Sequence, residues 1–159
     1  MRVIPTIKSQ TGFTLLEAMV ALLIFSVGLL GLAGMQMSGM QNSQSAILYT
    51  LAVQQSYDMA ERIRANLAGA TLGDYDDLKS ATVSCAATPG SCTSTAHLDF
   101  ANWYNLTKDV LPGGSGTVTG EAVDNNGDGT NDSLAFTITV SWTEPQILTP
   151  SSIELVIQP

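Results

Sequence analysis

From Ala18 to Met40 the chain carries no charged residue, and Ala18 to Ala33 is almost wholly Ala, Val, Leu, Ile, Phe and Met, broken only by Ser26, Gly28 and Gly31. A run of roughly 20 apolar residues is what an α-helix needs to cross the hydrocarbon core of a bilayer. Glu17 stands at the mouth of this run and is the only charge between Lys8 and Asp58. A carboxylate in that place is costly, so by default it marks a function. Upstream lie Arg2 and Lys8 and no acid. Basic residues before the run and acidic ones after it place the N-terminus in the cytoplasm and the bulk of the chain outside it. The run outlasts the apolar region of a secretory signal. The expectation is therefore a leader over residues 1–12, a retained membrane helix over 13–40 and an extracytoplasmic domain over 41–159. Gly28, Gly31 and Gly34 weaken a helix in water but let helix backbones approach closely. They read either as ordinary membrane-helix glycines or as points of close packing or local unwinding in a filament core.

Asp and Glu number 14 against 6 Lys and Arg, a net charge of −8. That balance argues against a nucleic-acid binder, which needs a basic face for phosphates. Two cysteines, Cys85 and Cys92, and one histidine, His97, do not make a zinc set. In a translocated domain they read as a disulfide, stabilising by about 2.5 kcal/mol through loop closure.

Past Gln41 the chain turns polar yet stays helical in pattern, with no proline between Pro5 and Pro89. Leu48, Ala52, Met59, Ile63 and Leu67 recur near helical spacing. Asp58 with Arg62, and Glu61 with Arg64, stand at pairing distances on one helix. One helix from about Phe13 to about Asn66 is expected, apolar all round and then amphipathic. Two helices with a break near Ser38-Gly39 are the alternative. Gly69 to Thr95 reads as a long connection holding the cysteines. Ala96 to Leu111 reads as a short helix stopped by Pro112-Gly113-Gly114. Thr117 to Val123, Leu134 to Trp142 and Ile153 to Ile157 read as strands. The face of Phe136, Ile138, Val140 and Trp142 is the one to bury against the long helix. The fold class is α+β: a long N-terminal helix on a small antiparallel sheet of three to four strands.

Gly12-Phe13-Thr14-Leu15-Leu16-Glu17, after a basic leader and before an unbroken apolar run, resembles the class III signal of type IV pilin-like proteins. The resemblance implies cleavage between Gly12 and Phe13 by a prepilin peptidase, N-methylation of Phe13, and an assembly role for Glu17. The stretch Asp58 to Asn66 is similar to PilV-type minor pilins. So are the Trp103 region leading to Leu111-Pro112-Gly113-Gly114, and Val140-Ser141-Trp142. That likeness implies a low-abundance subunit of the bacterial inner membrane and then of the pilus. It would act with other minor pilins, the major pilin and an inner-membrane assembly platform to prime assembly. A place at the tip, beside a large adhesin, is the further expectation. A pseudopilin of type II secretion shares the leader and helix, and a tip subunit binding a surface or DNA is a third reading.

No nucleophile–base pair and no Gly-rich phosphate loop is visible, which argues against an enzyme. His97 reads as a surface or helix-start residue. Asp124, Asn126, Asp128 and Asp132 stand at positions 1, 3, 5 and 9 of an EF-hand-like calcium loop, with Gly129 at its turn. The position of the bidentate Glu is Ala135, and such loops are common without metal. A calcium site predicts a calcium-dependent rise in melting temperature that Asp128→Ala abolishes; equal melting in calcium and in chelator removes the site.

Overall fold

The computed structural model describes residues 12–80, 83, 85, 90, 92–127, 129, 133–144 and 149–159. Three helices come first, α1 (Leu15–Ala65), α2 (Leu67–Thr71) and α3 (Thr95–Val110), then three strands, β1 (Ser115–Val123), β2 (Ser133–Trp142) and β3 (Ser151–Ile157). The chain divides into two compact units, Met1–Ser43 and Gln44–Pro159.

In the first unit, every residue from Gly12 to Met40 is exposed. α1 contains a stretch long and apolar enough to cross a membrane. The α-helix satisfies its own backbone polar groups, so this segment is suited to lipid or to a bed of other apolar helices.

In the second unit, α1 turns amphipathic as its pattern predicts. Leu48, Ala52, Met59 and Ile63 are buried. Leu67 is not; it is 50 % exposed. The reason is local. The N–H of Asn66 still donates to Arg62 O, but its side chain accepts from Gly69 N at 3.3 Å and so starts a new helix. The apolar stripe loses its phase at that joint. The connection after it is also less open than Gly69 to Thr95 suggests. Tyr75 and Leu78 are core residues, and Leu78 forms an antiparallel bridge with Val118.

The sheet runs in the order β1-β2-β3, antiparallel throughout. Phe136, Ile138, Val140 and Trp142 all point inward and are buried, as the period-2 alternation of β2 demands. Ser94 caps α3, accepting from His97 N at 3.3 Å. Helix α3 then brings Phe100, Trp103 and Thr107 into the core. Trp103 is the joint of the unit. Its Nε1 donates to Gln55 O of α1 at 2.8 Å. Its ring lies on Gly116 of β1, where a Cβ would overlap the indole.

Two polar knots stitch the layers. Tyr75 Oη donates to Asp99 Oδ2 at 2.7 Å and accepts from Asn66 Nδ2 at 3.2 Å. Arg62 stands 3.8 Å from Asp99 Oδ1 and donates to Asp58 Oδ2 at 3.0 Å. Burial first, and then donation to Asp99, push the Tyr75 phenol well above its usual range. The second knot is Glu144, which accepts from Ser45 Oγ of α1 at 2.6 Å and from Ser151 Oγ of β3 at 3.0 Å. Those two hydroxyls hold its carboxyl below the ordinary carboxylate range, and the Trp142 indole adds to the pull from beyond hydrogen-bonding geometry.

Two outcomes follow for the detergent-solubilised chain. Gly116→Ala should cost about 1–3 kcal/mol in denaturant unfolding, the range for overpacking a filled core. For Glu144, the folded carboxyl takes up its proton at lower pH than the unfolded one. Its stabilisation is present above the ordinary carboxylate range and drains away as the pH falls through the lowered value. Glu144→Gln should therefore lower the melting temperature at pH 7 and shrink its fall on acidification.

Candidate assembly site

Gly12 and Phe13 precede the helix in non-helical backbone, and Phe13 is 76 % exposed. Thr14 starts α1. Its Oγ1 accepts from Glu17 N at 3.3 Å, and its carbonyl accepts from Ala18 N at 3.2 Å. Glu17 thus sits at the third helical position, in the first turn. A carboxylate there faces the positive end of the helix dipole. The threonine and glutamate three apart form the pattern of a capping box, a signal that the sequence carried and the assembly reading passed over. Glu17 therefore has a local reason for its place as well as any intermolecular one. It remains exposed, and it is the only charged side chain from Gly12 to Met40.

Cys85 and Cys92 are joined in a disulfide, with S–S 2.07 Å and Cα atoms 5.1 Å apart. Cys85 lies beside α3, where it helps line a small cavity with Val83, Phe100, Ala101 and Tyr104. His97 occupies the first turn of α3, and its Nδ1 is 2.6 Å from Thr93 Oγ1. The bond lies at the helix start expected of it.

The candidate calcium loop is gathered around Asp124. Its Oδ1 accepts from the N–H groups of Asn126 at 3.1 Å and Gly127 at 2.6 Å, and its Oδ2 accepts from that of Gly129 at 2.8 Å. Gly127 and Gly129 both have positive φ, 78° and 86°, which is why glycine occupies these turns. Asp128 and Asp132 lie outside the described residues. Among the described residues no three His, Cys, Asp or Glu side chains gather as a metal-ligand group. A cleft of about 440 Å³ is lined by Leu67, Ala70, Thr71, Ala122, Ser133 and Leu134, with Pro159 at its rim.

Comparison with known proteins places two family models end to end on the chain. The prokaryotic N-terminal methylation motif matches residues 7–33. The model described as type IV pilin Tt1218 matches residues 34–103. The first spans Gly12, Phe13, Glu17 and the apolar run; the second spans the amphipathic half of α1, α2, the disulfide loop and α3 as far as Trp103. No curated protein and no solved structure matches the chain. Together the two models give the chain a prepilin N-methylation motif followed by a type IV pilin domain, and both fall on the helical part of the fold, ahead of the antiparallel sheet.

Proposed function

We propose that the chain is a minor pilin, held in the bacterial inner membrane by residues 13–40 with its N-terminus in the cytoplasm, and then drawn into a type IV pilus to help prime assembly. The observation that carries this reading is the segment from Gly12 to Met40, helical from Leu15. It is apolar, exposed along its whole length and interrupted by one carboxylate. Such a surface needs lipid at one stage and neighbouring helices at another. Cleavage after Gly12 leaves the helix in the membrane and creates an amine at Phe13. In a packed helical core an unpaired carboxylate is costly, and the methylated amine of a neighbouring subunit is the partner that relieves it. A prepilin peptidase, the assembly platform, the major pilin and other minor pilins are the partners this reading requires. A large adhesin beside the subunit at the tip fits a low-abundance role. The PilV-like stretches, Asp58 to Asn66 and Val140 to Trp142, favour the minor-pilin reading over a type II secretion pseudopilin.

Mass spectrometry of the mature protein should find N-methylated Phe13 as its first residue; a retained leader, or a cut beyond the apolar run, overturns the reading. Glu17→Ala should still be cleaved and should be lost from sheared pili. Normal incorporation would remove the intermolecular role of Glu17 and leave only its place at the helix start.

A further inference from the structure

The two edges of the sheet are treated differently. On the outer side of β1, Leu78 N donates to Val118 O at 2.8 Å and Val118 N donates to Leu78 O at 2.9 Å, so that edge is closed at its middle. On the outer side of β3, no strand is paired among the described residues. Natural edge strands are usually blunted by lysine, proline, a bulge or a charge turned inward. β3 holds no lysine, proline, bulge or inward charge between Ser151 and Ile157; Pro150 stands just before it, and its only charged side chain is the outward acid Glu154. The strand reads Ser-Ser-Ile-Glu-Leu-Val-Ile and keeps unbroken register with β2 over seven pairs, from Trp142 with Ser151 to Phe136 with Ile157. Its one charge, Glu154, lies on the solvent face, and beside it Val156 is 63 % exposed.

The registers across all three strands lay that face out in rows. Ser115, Ser141 and Ser152 form one; Thr117, Thr139 and Glu154 the next; Thr119, Thr137 and Val156 the third. Glu154 is the single charge in the grid. A strand added beyond β3 would extend each row by one residue. It would place one side chain next to Ser152, one next to Glu154 and one next to Val156.

We infer that the free edge of β3 takes up an extended strand from a different protein chain, which sets a lysine or arginine beside Glu154 and an apolar or β-branched side chain beside Val156. Main-chain hydrogen bonds would hold the strand, and the alternate side chains would choose it. A second copy of this chain is the poorer occupant. Antiparallel pairing of β3 with itself near its middle brings Glu154 opposite or diagonal to its own counterpart, and like charges there oppose pairing. The net charge of −8 adds to that repulsion. The inference rests on the sheet, and holds whether the chain is a minor pilin or a pseudopilin.

The test uses the full chain in detergent with two synthetic heptapeptides of alternating threonine and valine, one with a central lysine and one with a central glutamate. The readout is amide hydrogen exchange over Ser151–Ile157, with circular dichroism to confirm that Glu154→Lys is folded. The lysine peptide should slow exchange at concentrations several-fold lower than the glutamate peptide, and Glu154→Lys should reverse the order. The inference is overturned if neither peptide slows exchange, or if the order survives the charge reversal. Slowing that rises with the concentration of the chain alone would assign the edge to a second copy and overturn it as well.

Discussion

The second unit depends on one side chain placed between two layers. Trp103 reaches α1 through a hydrogen bond to the Gln55 carbonyl and reaches the sheet by lying on Gly116. A helix carbonyl has a lone pair left after its own ladder bond, so the indole can bond there without breaking α1. The sheet contributes a gap where a side chain would stand. Thr107, one turn on, returns its hydroxyl to Trp103 O at 2.9 Å and keeps its own polar group satisfied inside the core. Phe100, one turn back, meets the indole at a centroid distance of 5.6 Å. α3 is therefore fixed in height, rotation and depth by the same few groups.

The polar knots extend this arrangement to the parts that have little apolar surface. The run after Asn66 is short of large hydrophobes, and Tyr75 anchors it by combining a buried ring with a hydrogen bond to Asp99. Glu144 does the same where the chain leaves β2. Ser45 and Glu144 are 99 residues apart in sequence, yet they meet where α1 enters the second unit.

What the sequence made legible is what is periodic or local. The alternation of Phe136, Ile138, Val140 and Trp142 names the buried face of β2 without help from the rest of the chain. The apolar run and the spacing of Leu48, Ala52, Met59 and Ile63 do the same for α1. The Gly12–Glu17 motif is readable because its chemistry lies in six consecutive residues. Tyr75, Leu78 and Trp103 were not legible as core. Their burial depends on where a Gly- and Asp-rich connection is carried and on which glycine lies opposite. The end of the stripe at Leu67 was missed because one asparagine side chain shifts the helix phase. The disulfide was legible from cysteine count and compartment, whereas the Ser45–Glu144–Ser151 knot brings together three residues that no spacing rule connects.

The buried core of the second unit begins at Leu48, and none of the exposed residues from Gly12 to Met40 belongs to it. The second unit thus has a hydrophobic core made of its own residues. In the assembly proposed for this chain, exchanging lipid for protein around that segment changes a solvent and leaves the interior of the domain alone. The core of the domain does not have to be rebuilt in that transfer, whatever the apolar helix does.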